Sequence, residues 1–445
     1  MTGDRRLSKQ NIRISPDRLF FLISLAGIAG FFLLAIMNGH TAWEWMAQEN
    51  NPDMVGVDYF RHIDGSLRGA ALYESTNFCF PACASVLYFY LYRLSTWPQG
   101  GVPNGLLIWE QTRRYQLVFA GYLILTVLLI FIAVMIFCRR RGCSVRQCVL
   151  LAASIMLSAA FLGSGFLTGN STMPVIGILI IALQLRDSRS WFAREAALLL
   201  IAVAAGLKMY PAVFGFLYLK EKRWGEAVRL IIYGIMIMFL PFQRFGGLPV
   251  IMDWLDNIFS TMGGYEYGRI QFINGIAYMA LTKITGNPES SLVMIGCRVI
   301  PYVFLLLMII LGFISRSRYR TILFFTCAML FFPSNAFRYT LGYMALPLLS
   351  WFISCQETFN GEDWLASVLF GNIFTIPVWI GMLTGFAMNL GWYTLTWVEL
   401  WIYVSAYFLL LAEIIIELKD WFSRQRVSDG INGEYTIHDR QGIIS

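Results

Sequence analysis

The residues best suited to chemistry begin in a polar segment, residues 55–72, that separates the first two long apolar stretches of the chain. The apolar residues of this segment recur at the spacing of one face of an amphipathic helix: Tyr59, Ile63, Leu67 and Ala70. The opposite, polar face is predicted to carry Asp58, Arg61, His62 and Gly65. Carboxylates such as Asp58 and Asp64 either serve catalysis or binding beside a bilayer, or form surface ion pairs worth roughly 0.3 kcal/mol each.

Several cations are predicted on the same side of the membrane as that segment: Lys208, Arg244, Arg269, Arg298 and Arg338. Lysine and arginine near a membrane surface often extend toward lipid headgroups, which explains most residues of this kind. Lys208 differs, because it lies in G-L-K-M-Y-P at the predicted apex of a broken helical hairpin, where no lipid interface is near. A compact ammonium group at such a place is a good partner for a phosphate.

The composition indicates the scaffold that must position these residues. Of the 445 residues, 57% are hydrophobic and only 14% are charged, and the mean hydropathy is +0.60. These values predict an all-α polytopic membrane protein with about 10–12 transmembrane or re-entrant helices. The formal charge of +7 comes from short basic clusters between apolar stretches, a pattern that sets membrane topology and does not indicate nucleic-acid binding.

The basic clusters mark the cytoplasmic side, and the apolar stretches fit between them if both termini are cytoplasmic. The predicted spans are 19–38, 115–137, 148–168, 171–185, 226–243, 292–314, 321–333, 338–354, 364–386 and 396–418. Residues 196–219 have basic clusters at both ends, so we predict a hairpin that dips into the membrane and breaks at 206–211. The segment 78–95 is predicted to be a helix on or in the outer leaflet.

A single transmembrane domain, residues 1–422, is predicted to account for nearly the whole chain, followed by a polar cytoplasmic tail at 423–445. Two long extracytoplasmic loops interrupt the domain, at 39–114 and 244–291. The first loop contains the polar segment with Asp58, so the active site is predicted to lie on the extracytoplasmic face.

Four regions along most of the chain resemble polytopic glycosyltransferases of the C superfamily, specifically those similar to polyprenol-phosphate-mannose-dependent α-1,2-mannosyltransferases. They are D-Y-F-R-H-I-D-G-S-L-R-G-A-A-L-Y at 58–73 with F-C-F-P at 78–81, G-N at 169–170, A-V-A-A-G-L-K-M-Y-P at 202–211 with K-E-K-R-W at 220–224, and F-F-P-S-N-A-F-R-Y at 331–339. The resemblance implies the fold of that superfamily. It also implies an inverting transfer of mannose or a similar hexose from a polyprenyl phosphate to a lipid or glycan acceptor.

The same resemblance implies roles for individual residues. Asp58 would be the catalytic base that takes the proton of the acceptor hydroxyl. Lys208 would bind the donor phosphate, with further cations behind it: Arg298, Arg338 and Arg269. The secondary candidates for this site are Asp64, His62, Tyr73, Asn170 and Tyr210.

Several alternatives stay open at the level of the sequence. No cofactor is implied, although Asp58 with His62 could instead bind a divalent metal ion. The chain has neither a G-x-G-x-x-G motif nor a P-loop that would hold a nucleotide diphosphate. The competing functions are a transporter or flippase of polyprenyl-linked sugars, which would also use broken helices, and an O-antigen ligase or polymerase.

Overall fold

The fold was obtained as a computed structural model, which describes residues 15–39, 55–74, 78–96, 113–263, 272–333, 338–357, 361–377, 387–389 and 394–441. Within these ranges five helices are long and apolar enough to cross a membrane: Pro16–Met37, Arg113–Arg139, Trp224–Phe245, Ser291–Ile314 and Leu400–Arg424. Shorter apolar helices lie at Val145–Met156, Thr172–Leu185 and Tyr339–Cys355. The protein is an all-α polytopic membrane protein, as its composition predicts.

The described α-helices, in chain order, are α1 (Pro16–Met37), α2 (Val57–Leu67), α3 (Ala82–Thr96), α4 (Arg113–Arg139), α5 (Val145–Met156), α6 (Ala159–Phe161), α7 (Thr172–Leu185), α8 (Trp191–Leu207), α9 (Phe216–Lys220), α10 (Trp224–Phe239), α11 (Leu248–Gly263), α12 (Ile273–Thr285), α13 (Ser291–Ile314), α14 (Arg318–Phe331), α15 (Ala345–Glu357), α16 (Asp363–Ile373) and α17 (Trp397–Gln441). Short 3₁₀ helices lie at Gly69–Leu72, Tyr210–Gly215, Leu240–Phe245 and Arg338–Met344. Two three-residue strands, β1 (Ala387–Asn389) and β2 (Thr394–Thr396), pair antiparallel with Met388 opposite Leu395.

Seven predicted spans match helical segments to within a few residues, namely α1, α4, α7, α13, α14 and the continuous segments Trp224–Phe245 and Tyr339–Cys355. The predicted span at 148–168 is wrong, because α5 ends at Met156 and the chain continues through α6 into a π-helical turn at Leu162–Phe166. Glycine in that turn weakens a regular helix, and there is no room for a Cβ at Gly165, where it would approach the Met173 sulfur to 2.5 Å. π-Helical turns often occur at functional sites.

Two other predicted spans also differ from the observed helices. The span predicted at 364–386 ends early, because α16 stops at Ile373, and residues 378–386 lie outside the described part of the chain. The span predicted at 396–418 is part of the 45-residue helix α17, which runs on through most of the predicted tail to Gln441. Helix α17 begins apolar and becomes polar, so composition marks the end of the span but not the end of the helix.

The predicted hairpin at 196–219 is confirmed. Helix α8 ends at Leu207, and the chain returns through the 3₁₀ helix Tyr210–Gly215 and through α9. The two limbs are similar in length, about 25 Å and about 20 Å, because the 3₁₀ helix rises more per residue than an α-helix. Both ends meet where Arg223 Nη2 donates to the Arg186 carbonyl oxygen at 2.9 Å and Arg186 pairs with Glu221. The apex between the limbs is Lys208.

Three apolar clusters hold the first loop and the hairpin in place. The main core runs along α5, α7, α8, α14 and α15, and all of α14 from Tyr319 to Phe331 except Arg320 is buried. An aromatic cluster joins α2 and α3 to the first half of α4, and a third cluster joins residues 72–82 of the first loop to α11. The third cluster is supported by Asn257, whose Nδ2 donates to the Tyr73 carbonyl oxygen at 2.7 Å.

Candidate functional site

The first turn of α2 is attached to the chain segment that precedes α7. The backbone amides of Asp58 and Tyr59 both donate to the Thr168 carbonyl oxygen, at 3.0 and 3.1 Å, and the Gly56 amide donates to the Leu167 carbonyl oxygen at 2.8 Å. The first amides of a helix have no partner within the helix. Here they bind carbonyl groups of another element, so Asp58 is held against the turn at 167–170.

Asn170 fixes the orientation of the Asp58 carboxylate. The Asn170 Nδ2 donates to Asp58 Oδ2 at 2.8 Å, while Asn170 Oδ1 accepts from the Thr172 amide at 2.9 Å. Asn170 is buried, and the glycine before it, Gly169, has a φ of +69°. A Cβ at Gly169 would lie 2.8 Å from Tyr59 Cβ, so only glycine permits this approach. The other carboxylate oxygen, Asp58 Oδ1, has no hydrogen-bond partner among the described residues.

Lys208 follows α8 directly at the apex of the hairpin and is only 5% exposed. Its Nζ lies 4.2 Å from the centre of the Phe80 ring and 5.4 Å from the centre of the Tyr339 ring, which is the geometry of a cation–π interaction. Within the described part of the chain the ammonium has no hydrogen bond and no ion pair. Burial lowers the pKa of Lys208 to about 8, and the negative charge of Asp58 opposes that shift.

His62 packs beside Lys208 and is buried, which corrects the prediction that it lies with Asp58 on a polar face. Its ring stacks on Tyr88 with centres 4.4 Å apart, and it meets the Phe80 ring edge-on at 4.1 Å. Helix α2 is covered on two sides, by α4 and by the segment at Phe78–Phe80, so Gly65 is buried as well and Arg61 stays exposed. Burial and the nearby ammonium of Lys208 lower the pKa of His62 well below its usual value, and among the described residues the His62 Nδ1 has no hydrogen-bond partner.

The alternative carboxylate, Asp64, is engaged in a surface ion pair. Arg68 Nη2 donates to Asp64 Oδ2 at 2.6 Å one turn further along α2, and the Arg68 side chain is 57% exposed. The surface-pair interpretation therefore fits Asp64, whereas Asp58 binds Asn170 instead. The structure distinguishes two carboxylates that have similar surroundings in the sequence.

The other candidate cations lie in different parts of the chain. Arg298 is exposed on α13, and Arg269 lies outside the described residues. Arg338 begins the 3₁₀ helix whose second residue, Tyr339, lies over Lys208. The described residues contain no group of three or more His, Cys, Asp or Glu side chains that could hold a metal ion.

An apolar cavity of about 450 Å³ opens beside Lys208. It lies between the returning limb of the hairpin and helices α11, α13 and α14, and its lining includes Cys79, Tyr210, Ile258, Leu305 and Met329. Tyr210, a secondary candidate, contributes its ring to this wall. The secondary candidate Tyr73 lies on the other side of Phe80 and donates its hydroxyl to the Phe80 carbonyl oxygen at 3.3 Å. Charge and apolar volume therefore adjoin at the apex.

Sequence reasoning missed the aromatic walls of the site. Phe80 and Tyr339 both lie in segments that carry the family resemblance, F-C-F-P and F-F-P-S-N-A-F-R-Y, and that membership was the one available signal. Asn170 was a candidate without an assigned role, and its role as the partner of Asp58 depends on a contact across 112 positions of the chain. Residues from each of the four resembling regions meet around Asp58 and Lys208.

Comparison with protein families gives a match to the model of glycosyltransferase family 87 over residues 102–337, which is more than half of the chain. The matched range includes Asn170 and Lys208 and excludes Asp58, Phe80 and Tyr339. A comparison with curated proteins finds no match.

Proposed function

The chain belongs to glycosyltransferase family 87, and we propose that it is an inverting enzyme that uses a polyprenyl-phosphate sugar. The sugar, mannose or a similar hexose, passes to a lipid or glycan acceptor on the extracytoplasmic face of the membrane. The observation that carries this proposal is the buried ammonium of Lys208, which has aromatic walls but no anion among the described residues. A buried unpaired charge is costly, so it is best explained by an anionic ligand.

The chemistry is a single displacement at the anomeric carbon of the sugar. The acceptor oxygen forms a bond to that carbon from the face opposite the phosphate, and its proton passes to Asp58 Oδ1. The bond from the anomeric carbon to the phosphate oxygen breaks, and its electron pair stays on the phosphate. The phosphate gains negative charge as the bond breaks, and Lys208 stabilises that charge in a site with little water.

The apolar cavity suits the hydrocarbon part of such a donor. It begins at Met209 and Tyr210, the residues that follow Lys208, and one of its walls is α13, a helix long and apolar enough to cross a membrane. A donor with its phosphate at Lys208 would place its prenyl chain in this cavity, where no polar group has to lose water. A nucleotide donor would gain nothing from an apolar volume of about 450 Å³.

The surrounding residues support the two reacting groups. Asn170 holds Asp58 in one orientation, and Tyr73 holds the Phe80 backbone through a hydrogen bond. We assign Arg338, which begins the 3₁₀ helix next to Tyr339, as the second phosphate ligand. Arg269 and Arg298 stay predictions as further phosphate ligands. Membership of a glycosyltransferase family favours this transferase over a transporter or flippase.

The test is donor turnover by the purified full-length protein in lipid nanodiscs. Short-chain polyprenyl-phosphate mannose and polyprenyl-phosphate glucose are offered together with extracted membrane lipids as acceptors, and released polyprenyl phosphate is measured. Asp58→Asn should reduce turnover by about 10²- to 10⁴-fold, the usual contribution of a general base. Asp64→Asn is the matched control on the same helix and should leave turnover unchanged.

Two results would overturn the proposal. One is equal turnover by Asp58→Asn and wild type, which would show that Asp58 is not the catalytic base. The other is transfer from a nucleotide sugar in nanodiscs that contain no polyprenyl phosphate, which removes the donor class.

The side of the membrane is tested separately in intact cells. A cysteine placed at exposed Arg61, beside Asp58, should react with an impermeant maleimide added outside. A cysteine at exposed Arg146, next to the turn between α4 and α5, should react only after the cells are opened. The reverse pattern would place the site on the cytoplasmic face.

A further inference from the structure

Three cysteines meet at the turn between α4 and α5, far from the site around Asp58. Cys138, Cys143 and Cys148 are spaced five residues apart, and all three are buried. The aromatic cluster that holds α2 contacts Tyr122 near the start of α4, whereas Cys138 lies at the other end. Sixteen residues of α-helix separate the two positions by about 24 Å.

The end of α4 brings the first two thiols together. Gly142 has a φ of +85°, its amide donates to the Arg139 carbonyl oxygen at 3.2 Å, and the Cys143 amide donates to the Cys138 carbonyl oxygen at 3.2 Å. These bonds form a Schellman motif, in which the side chains at the positions of Cys138 and Cys143 usually make an apolar contact. The motif therefore places the Cys138 and Cys143 side chains next to each other at the end of α4.

The start of α5 adds the third thiol. Ser144 and Gln147 form a capping box, in which the Ser144 hydroxyl accepts from the Gln147 amide at 3.2 Å. The residue before such a cap commonly packs against the fourth residue of the helix, as a hydrophobic staple. These two positions are Cys143 and Cys148, and the Cys148 thiol points at the Cys143 carbonyl oxygen at 3.9 Å. Cys143 is therefore shared by both cap contacts.

Cap contacts require only apolar side chains, so they do not explain why all three positions hold thiols. The three thiols lie close to the protein surface, because the residues on either side of Cys143, Arg139–Gly142 and Ser144–Arg146, are all exposed. The adjacent Cys138 thiol lowers the pKa of Cys143 to about 7, and the positive charge of Arg139 acts in the same direction. A thiolate next to a second thiol is the arrangement that oxidises to a disulfide.

We propose that these three cysteines form a site of reversible oxidation, at which a hydroperoxide reacts with Cys143 and a disulfide to Cys138 follows. In the first step the Cys143 sulfur attacks the peroxide oxygen, the O–O bond breaks, and the sulfenic acid of Cys143 and an alcohol or water result. In the second step the Cys138 sulfur bonds to the Cys143 sulfur and the hydroxyl leaves as water with the thiol proton. A dithiol reductant reverses the reaction by thiol–disulfide exchange.

The test uses the full-length protein in detergent micelles, treated with hydrogen peroxide and then with N-ethylmaleimide. Peptide mapping should show a Cys138–Cys143 disulfide that dithiothreitol removes. With a pKa of about 7, Cys143 should react about five-fold faster at pH 7 than an ordinary thiol, because its larger thiolate fraction outweighs its lower nucleophilicity.

Cys143→Val keeps the apolar cap contacts and removes the thiol, so it should form no disulfide and should melt at the wild-type temperature. Cys327→Val, at a buried cysteine in α14, is the matched control and should oxidise like wild type. A Cys143–Cys148 disulfide would overturn the proposed pairing. Equal thiol loss in Cys143→Val and wild type, or no disulfide in wild type, would show that the thiols serve only as apolar cap contacts.

Discussion

Two regions of this protein bury charged side chains, and they treat those charges in opposite ways. Around Arg320, Nε donates to Glu413 Oε2 at 3.0 Å and Nη1 donates to Asp420 Oδ2 at 2.5 Å. Glu417 in the same cluster accepts from the Ser315 hydroxyl at 2.8 Å and from Arg424 Nη2 at 3.0 Å. At the hairpin apex, by contrast, the ammonium of Lys208 contacts two aromatic rings and no anion among the described residues.

The difference separates a structural role from a functional one. Removing charges from water costs several kcal/mol per ion, and that cost is offset only where the charges meet partners with good geometry. The Arg320 cluster meets this condition and joins α14 to α17. The apex does not meet it, so its lysine carries a cost that a bound phosphate would remove.

The largest effect is expected from breaking the paired region. Arg320→Met leaves the buried Glu413 without its arginine, and loss of one partner in a buried ionic cluster usually costs about 3–5 kcal/mol of stability. We expect a clearly lower melting temperature, while donor turnover per folded molecule stays at the wild-type level. Arg320 and Arg316 both line a cavity of about 270 Å³, and Arg316 is exposed. Arg316→Met is therefore the control and should change neither quantity.

A substitution at the unpaired lysine should instead raise the stability of the protein. Lys208→Met removes the cation that stabilises the leaving phosphate, so turnover should fall by about 10²- to 10³-fold. The pKa of Lys208 is lowered from 10.5 to about 8, and at about 1.4 kcal/mol per pKa unit the buried charge costs on the order of 3 kcal/mol. The variant should therefore melt at a higher temperature than wild type.

The size of that stability difference also changes with pH in a defined way. Because the folded pKa of Lys208 is lowered, the cost is fully present below pH 8 and disappears as pH rises from 8 to 10.5. Melting curves of wild type and Lys208→Met should converge over this window. Lys283→Met, at an exposed lysine on α12, is the control. A Lys208→Met protein that is less stable than wild type at neutral pH would show that Lys208 is a structural residue.

A smaller effect is expected at the residue that orients the base. Asn170→Ala removes the hydrogen bond to Asp58 Oδ2, and a hydrogen bond to a charged group contributes about 1.5–3 kcal/mol. Turnover should fall by about 10- to 100-fold through kcat, because the carboxylate loses its orientation while the phosphate ligand stays in place. Ser171→Ala, at a buried neighbour whose hydroxyl has no hydrogen-bond partner in the part of the chain that the structure describes, should leave kcat unchanged. A wild-type kcat in Asn170→Ala would show that Asn170 does not position Asp58.

The mildest test is the pH dependence of the wild-type reaction. In the free enzyme Lys208 loses its proton as pH rises through about 8, so kcat/KM should fall about tenfold per pH unit above that value. A bound phosphate favours the protonated lysine, so kcat should fall only at higher pH. Lys208→Arg keeps its charge at every pH measured, and its kcat/KM should show no such fall. A fall at the same pH in Lys208→Arg would assign the titration to another group.

The helical scaffold was largely predictable because long apolar stretches and basic clusters act locally. A membrane span needs about 20 consecutive apolar residues, and cytoplasmic loops carry an excess of basic residues. Both features are visible in a single segment, so α1, α4, α7 and α13 could be predicted from composition. The hairpin apex at Lys208 was found in the same way, from basic clusters at both ends of one apolar stretch. The predictions failed where a helix is interrupted within an apolar stretch, as at Leu162–Phe166. Such interruptions are stabilised by contacts with neighbouring elements, which the local sequence does not show.

The candidate site was predictable only in part. Asp58 and Lys208 were named from residue type and from the family resemblance, which preferred Asp58 to Asp64, but neither helical spacing nor charge explained that preference. That distinction comes from Asn170, which reaches Asp58 from a different element of the fold. The burial of His62 was mispredicted for a related reason, since a helical face that reads as polar was covered by the Phe78–Phe80 segment.

The amino-acid sequence by itself determined the membrane class, most of the spans and the position of the broken hairpin, because hydropathy and charge act over a few turns of one segment. The tertiary structure alone decided which charges are paired and which are left without a partner. Pairing depends on distances between atoms that are far apart along the chain. It made Arg320 part of the scaffold, and it left Lys208 and one oxygen of Asp58 available to a ligand.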